Sequence, residues 1–202
     1  MALTDKLKAI ADAIRSKTGS TESMSLDGMA TEISNISTGG SIEEPYVIET
    51  YDSAGNLIEA ELVGYTKIRN NFFNECSKLA LISLPSGVTS IGNYAFNECS
   101  NLALTSLPSG VTSIGNSTFK GCSKLALTSL PSGIIIIDAR AFSSCKSLTF
   151  ITFEGTPRSI ASNAFASCTN LTTINVPWAE GAVTNAPWGA TNATINYNYT
   201  GE

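Results

Sequence analysis

The chain has 202 residues, of which 43% are hydrophobic, and it carries a formal net charge of −5; this composition indicates a folded protein and excludes a wholly disordered one. It contains no histidine, which removes His-based triads, histidine general bases and the commonest metal ligand. No apolar stretch reaches the roughly 18 residues of a membrane span and no basic stripe is present, so neither membrane insertion nor nucleic-acid binding is expected.

Two short amphipathic helices are predicted within residues 1–36. Leucine, isoleucine and methionine recur at helical spacing over residues 4–17 and again over residues 25–36. The stretch STGGS that follows is a flexible linker. Helices this short have too little core to be stable alone. We therefore expect residues 1–40 to be an attachment or oligomerisation segment, packed on another copy or a partner; a helical cap on the neighbouring domain is the alternative.

Within this segment, KLKAIADAIRSKTGSTESMSLDGMATEI at residues 6–33 resembles a segment of tail and baseplate-associated proteins in phages and prophages of Firmicutes. The resemblance implies virion attachment or self-association through residues 1–36. The N-terminus also lacks the apolar core and small-residue cleavage site of a signal peptide. That absence agrees with a protein that is assembled into particles inside the cell.

Residues 41–61 are predicted to form an acidic β lead-in to the rest of the chain. Between residues 42 and 61 there are six acids and no base. The stretch YVIETYDSAGNLIEAEL alternates as a hairpin does, with a turn at Ser53–Asn56. Calcium binding around Asp52 is an alternative, but the spacing is not that of an EF-hand loop, and no metal site is predicted.

A period of 23 residues governs residues 62–178. Each cysteine follows a phenylalanine by three residues, and a leucine follows each cysteine by three. The cysteines are Cys76, Cys99, Cys122, Cys145 and Cys168, and the phenylalanines are Phe73, Phe96, Phe119, Phe142 and Phe165. Fixed apolar positions at such a period are the signature of a solenoid.

Stacking explains why the sequence of one 23-residue unit recurs five times. A single unit cannot bury its own apolar side, so neighbouring units must bury each other, and equivalent residues should form ladders. The stretch LxxIxLP is expected to be a strand, PSG a turn, VTSI a second extended piece and GNYAFNEC a helical turn. Thr105 and Thr128 stand where the pattern has isoleucine, with a leucine one position earlier, so a bulge is expected there.

The pattern AFxxCxxLxxIxLPxxVxxI, over roughly residues 57–178, resembles the BspA-type leucine-rich repeats of bacterial and some protozoan surface proteins. The AFxxC core is intact at Ala95–Cys99, Ala141–Cys145 and Ala164–Cys168, and it departs at Phe72 and Thr118. The resemblance implies an α/β, β-rich solenoid: five right-handed leucine-rich-repeat coils that serve binding and carry no catalytic residues.

The cysteine ladder has two interpretations. A row of thiols could be a disulfide set or a set of metal ligands. However, five is an odd number, and the chain has no CxxC pair and no histidine. Because free cysteine behaves as a small hydrophobe, we expect reduced, buried thiols and no cofactor.

Residues 179–202 depart from the repeat pattern and are predicted to be a C-terminal β cap. Trp178, Trp188 and Ile195 are the expected cap residues, and ATINYNYT is the expected final strand. Clustered tryptophans and tyrosines could instead stack on sugars, so Trp178 and Trp188 are also candidate binding residues.

A row of small polar residues is predicted on the outward side of the strands. It consists of Ser83, Ser106, Ser129, Thr152 and Asn175. The row is either a solvated ladder or a flat, uncharged face that hydrogen-bonds glycans or peptides.

An enzyme is not expected, because no nucleophile–base pair, phosphate loop or metal cluster is visible. The first hypothesis is a virion-associated binding protein of a phage or prophage tail, whose solenoid contacts a glycan or protein on the host surface. The second is a cell-surface or secreted BspA-like adhesin. The third is a structural spacer without a ligand.

Overall fold

Short strands and tight turns, without a helix, make up residues 45–201, the part of the chain that the computed structural model describes. The hairpin, the repeats and the C-terminal segment belong to one unit that begins at Pro45. The helices predicted within residues 1–36 lie outside the described residues.

An antiparallel hairpin opens the described structure, as the alternating pattern predicted. It is formed by β1 (Tyr46–Tyr51) and β2 (Leu57–Val63). The Asp52 carboxylate closes the turn by accepting hydrogen bonds from the backbone N–H groups of Ala54 and Asn56, at 2.9 and 2.8 Å. Side-chain and backbone hydrogen bonds from Asn56 hold the pKa of Asp52 below its ordinary value. The hairpin prediction is confirmed.

Six coils follow the hairpin, and each spans about one repeat: 66–88, 89–111, 112–134, 135–157, 158–180 and 181–201. Most coils contribute one short strand to each of two parallel rows. The first row continues from β2 and contains β4 (Leu81–Ser83), β7 (Ser129–Leu130), β9 (Phe150–Phe153), β11 (Thr173–Asn175) and β12 (Thr194–Asn196). The second row contains β3 (Lys67–Ile68), β5 (Ser90–Ile91), β6 (Ser113–Ile114), β8 (Ile136–Ile137) and β10 (Ser159–Ile160).

The second row shows how the sequence period sets the strand register. Its five strands form one parallel sheet in which isoleucine lies opposite isoleucine throughout. The ladder runs through Ile68, Ile91, Ile114, Ile137 and Ile160, all of which are buried. Like residues pair because the repeat length equals the length of one coil.

The first row is interrupted in coil 2, where residues 103–107 form no strand. The row therefore divides into a sheet of β1, β2 and β4 and a sheet of β7, β9, β11 and β12. In coil 3, Leu127 is buried and Thr128 is exposed, whereas in coils 4 and 5 it is Ile151 and Ile174 that point inward. The leucine that comes one position early turns inward in place of the isoleucine. The strand is therefore irregular where the sequence predicted it, but through a lost strand in coil 2 and a changed parity in coil 3 and not through a bulge.

The segment predicted as a helical turn is a run of three successive β-turns instead, of which the first joins the Ala95 N–H to the Gly92 carbonyl in coil 2. In coil 2 the backbone N–H of Asn97 donates to the carbonyl of Tyr94, and that of Cys99 to Phe96. Tyr94 and Glu98 have positive φ angles of 57° and 58°, a conformation that ends a helix after one turn. The turns still direct Phe96 inward, as expected.

A glycine is required where an asparagine side chain accepts a hydrogen bond from the backbone of the next coil. The Asn93 side-chain oxygen accepts a hydrogen bond from the backbone N–H of Asn116 at 2.8 Å. A Cβ atom on Gly115 would lie 2.5 Å from that oxygen, so only glycine leaves it room. Coil 4 has Asp138 at the equivalent position, and there the Asn116 side chain accepts from Ser117 Oγ instead.

The core is a continuous stack of phenylalanine rings surrounded by leucines and isoleucines. Neighbouring rings from Phe73 to Phe165 lie 5.6, 5.4, 5.5 and 5.1 Å apart, centroid to centroid, with interplanar angles of 17° or less. Near-parallel stacking follows from placing the same residue at the same point of successive coils, and each ring adds burial to its neighbours.

The C-terminal cap is itself a sixth, divergent coil. Trp188 lies 23 residues after Phe165, and its carbonyl accepts the backbone N–H of Phe165 at 2.9 Å. The predicted final strand is present as β12, which pairs in parallel with β11. The solenoid thus has six coils where the cysteine spacing alone gave five.

Candidate binding face

The outward side of the first strand row is the surface that the sequence singled out. We call it the strand face and define it by the outward residues of coils 2–6. These residues are Thr105, Ser106, Thr128, Ser129, Phe150, Thr152, Thr173, Asn175, Thr194 and Asn196. Nine of the ten are neutral polar residues. In coils 4 and 5 alternation places Ile151 and Ile174 in the core between the outward residues. In coils 2 and 3 the two outward residues are adjacent, because the early leucine changes the parity there.

The predicted polar row lies on this face, but its members differ in exposure. Ser106 is exposed, Ser129 and Thr152 are half-buried, and Asn175 is only 9% exposed. Ser83 lies in β4, and its side chain is outside what the structure describes. The row is therefore accessible in coils 2 to 4 and less so in coil 5.

Hydrogen bonds between coils explain the burial of Asn175. The Asn196 side-chain amide donates to Asn175 Oδ1 at 2.8 Å, and the Asn175 amide donates to Thr152 Oγ1 at 3.2 Å. These three side chains form one chain across coils 4, 5 and 6. Asn175 joins the coils together, and Asn196 extends the row by one coil beyond the sequence prediction.

Phe150 is the residue that the sequence analysis missed. Its side chain is 43% exposed, although aromatic side chains are usually buried. The signal was available in FITF: Phe150 has the same parity as Thr152, which was predicted to point outward, whereas Ile151 and Phe153 are buried. An aromatic ring therefore stands among the hydroxyl groups of the strand face.

Charge on the described strand face is sparse and negative. Glu154 follows β9 and accepts a hydrogen bond from Ser129 Oγ at 2.7 Å. Beyond coil 1 the same side of the sheet continues into the hairpin, where Glu61 lies opposite Ser83 in the strand register. The ten residues of the face are thus neutral, Glu154 adds one acid beside them in coil 4, and the hairpin end is acidic.

The tryptophans are core residues, which corrects their assignment as binding residues. Trp188 is fully buried and Trp178 is 5% exposed. Their rings meet edge-to-face at 6.3 Å, and each packs against Phe153. Trp188 Nε1 donates to the Thr184 carbonyl at 2.7 Å. Neither ring offers a face on which a sugar could stack, and the cap role is the one that fits.

A shallow groove lies where the first strand row is interrupted. It measures about 440 Å³ and is lined mainly by Ile82, Leu84, Leu104, Leu107 and Pro108. Ser106 and Thr105 border it. The groove adds a small apolar depression at the coil 2 end of the strand face, and it extends into coil 1.

The cysteines are free thiols with a structural role. From the second onward, each Sγ donates to the carbonyl of the phenylalanine 26 residues earlier, at 3.0 to 3.1 Å. Burial raises the pKa of Cys99 to about 12 and that of Cys168 to about 11. A small residue with a weak donor therefore bonds successive coils from inside the core.

Thiol reactivity gives the first testable prediction. Native protein is expected to react with Ellman's reagent at Cys76, which is half-buried, while Cys99, Cys122, Cys145 and Cys168 react only after denaturation. Burial blocks access, and the raised pKa values remove the reactive thiolate. Absorbance at fixed times, with and without denaturant, counts the thiols. Five fast thiols in the native protein would contradict the buried ladder.

No three cysteine, aspartate or glutamate side chains within the described residues gather as metal ligands would. Over the same residues no helix has the length and apolar character of a membrane span.

Comparison with known proteins identifies the repeat. The family described as "BspA type Leucine rich repeat region" matches residues 66–185 in six copies. The match does not extend to residues 6–33, whose resemblance to phage tail proteins stays a prediction. No curated protein matches the chain.

One solved leucine-rich repeat structure shares the fold, and two others match it less closely. The T. pallidum leucine-rich repeat protein TpLRR is 21% identical, with a TM-score of 0.52 over 76% of this chain and 80% of that chain. The pneumococcal vaccine antigen PcpA is 16% identical, with a TM-score of 0.49 over 74% of this chain and 43% of that chain. A leucine rich cell surface protein from Faecalibacterium prausnitzii is 20% identical, with a TM-score of 0.34 over 71% and 60%. The matched repeats cover more than half of the sequence, and the chain therefore belongs to the BspA-type leucine-rich repeat family.

Proposed function

We propose that this protein is a non-enzymatic binding module that recognises a glycan or a protein on a bacterial surface through the strand face. The observation that carries the proposal is the exposed Phe150 ring among the neutral hydroxyl groups of Ser129, Thr152 and Thr173. An aromatic ring supplies contact area, and neutral donors and acceptors around it supply orientation.

We also propose that the protein works in a phage or prophage tail. Support comes from the resemblance of residues 6–33 to tail-associated segments. Residues 1–36, which lie outside the described residues, would then attach the binding module to the virion or to further copies. The host cell surface would be the target of the strand face.

A cell-surface or secreted adhesin is the second candidate, and membership in the BspA-type family favours it. An antibody against the chain, applied to purified phage particles and to intact cells of the same culture, separates the two. Signal on particles supports the tail protein, and signal on intact cells supports the adhesin.

Binding to whole Gram-positive gut bacteria and to their purified wall glycans tests the strand face. The labelled full chain is expected to bind saturably to particular strains. The double variant Phe150→Ala/Thr152→Val is expected to lose at least about ten-fold in affinity, because aromatic hot spots contribute more than about 1 kcal/mol. Tyr94→Ala is the matched control, since Tyr94 is also 41% exposed but lies in the turn segment.

Equal binding by the double variant and the control would remove the strand face as the site. No binding to any strain by folded protein would favour the structural spacer.

A further inference from the structure

The outer edge of β1 has the features of a docking site for another strand. Within the described residues β1 pairs only with β2, and no described strand pairs with its other backbone edge. Pro45, which has no N–H, precedes the strand, and the register is irregular between Thr50 and Tyr51. The regular part of the edge is therefore Tyr46–Thr50, long enough for a short added strand.

Large apolar side chains are exposed along this edge. Tyr46 is 38% exposed, Ile48 is 39% exposed and Tyr51 is 53% exposed. Alternation places Tyr46 and Ile48 on the same side of the sheet as Glu61, which is the partner of Ile48 in the strand register. An added strand would cover these side chains with its own.

A groove follows the opposite side of the same strand. It measures about 480 Å³ and is lined by Val47, Glu49, Tyr65, Arg69 and Phe72, with Asn70 and Asn71 at its border. The rings of Tyr65 and Phe72 meet edge-to-face at 5.3 Å, and the Arg69 guanidinium lies 5.1 Å from the Phe72 centroid. Strand addition beside a groove uses backbone bonds for affinity and pockets for alternate side chains.

The negative charge of the hairpin favours a basic strand over a second copy of this chain as the partner of β1. Residues 45–66 contain the acids Glu49, Asp52, Glu59 and Glu61 and no base. Two copies paired through β1 would bring these acids together, and like charges on paired strands are destabilising. Lysine or arginine on an added strand can instead reach across Ile48 and Thr50 to their register partners Glu61 and Glu59.

We propose that the β1 edge binds an extended, basic peptide segment of another protein, which adds to the sheet as a strand. Its lysine or arginine side chains lie on the side of Glu59 and Glu61, and its apolar side chains enter the groove at Val47 and Phe72. This site is on the hairpin and does not use Phe150 or Thr152, so its test is independent of the proposed function.

The test uses the full chain and a blocked seven-residue probe peptide of alternating lysine and valine. Binding is expected to weaken about ten-fold or more in the variant Glu59→Gln/Glu61→Gln, and to be unchanged in Glu180→Gln, an exposed acid of coil 5. Hydrogen exchange should show protection of the Tyr46–Thr50 amides by the probe, without protection of β12 at the other end of the row. A probe that is N-methylated at alternate backbone amides should lose binding.

Four results would overturn the proposal. They are no binding of the lysine–valine probe at millimolar concentration, equal binding of a glutamate–valine probe, equal binding of the N-methylated probe, or β1 amides already protected in a chain whose mass rises with concentration. The last result would assign the edge to a second copy.

Discussion

Replacing Phe119 with alanine is expected to lower the free energy of unfolding by about 3–5 kcal/mol. Phe119 is fully buried in coil 3, between the rings of Phe96 at 5.4 Å and Phe142 at 5.5 Å. The substitution loses the burial of the ring and leaves a cavity lined by both neighbouring rings. Since each coil is held mainly by its neighbours, a gap in the middle weakens two interfaces at once.

Urea unfolding followed by circular dichroism measures this loss. Phe150→Ala is the matched control, because the same change at a 43% exposed ring should cost about 1 kcal/mol or less. Both tryptophans lie in coils 5 and 6, so their fluorescence reports whether the C-terminal coils unfold with the rest. A loss below about 1 kcal/mol at Phe119 would contradict a core built on the phenylalanine stack.

The ladders could be predicted from sequence because the period alone determines them. Once five cysteines and five phenylalanines share one interval, stacking places like on like, whatever the detailed shape of the coil. The early leucines of coils 2 and 3 likewise marked the irregular strands, because a change of parity must turn a different residue inward.

The turns and the cap could not be read in the same way. Glu75, Glu98, Ser144 and Ser167 adopt positive φ angles of 58–63°, which their residue types do not suggest. The one local signal was Gly121, which occupies the equivalent position in coil 3 with a φ of 75°. Coil 6 was hidden because it keeps the repeat length to Trp188 but replaces both the phenylalanine and the cysteine.

The strand face was predicted in position and corrected in composition. The outward direction of Ser129 and Thr152 followed from their position in the repeat. The side-chain hydrogen bonds that bury Asn175 depend on Asn196, and these could not be foreseen. Asn196 pairs with Asn175 at an interval of 21 residues, two fewer than the repeat length. The tryptophans were considered for sugar binding because residue type alone does not distinguish a buried ring from an exposed one.

Replacing Trp188 with alanine is expected to lower the free energy of unfolding by about 3–5 kcal/mol and to expose the end of the solenoid. Trp188 is fully buried, and it packs against Phe153 and Trp178. Its loss uncovers the last rings of the core, and a terminal coil that no longer covers its neighbour exposes apolar surface. Urea unfolding by circular dichroism should show the loss, and binding of a hydrophobic dye to the native protein should rise.

Two further variants distinguish the contribution of the Trp188 ring from that of its hydrogen bond and from a general effect of changing coil 6. Trp188→Phe keeps a ring in the core but loses the hydrogen bond to the Thr184 carbonyl, so its loss should be smaller than that of the alanine variant. Thr191→Ala changes an exposed residue of the same coil and should alter stability by about 0.5 kcal/mol or less. If Trp188→Ala behaved like Thr191→Ala, with no added dye binding, coil 6 would be dispensable and the phenylalanine stack would need no aromatic end.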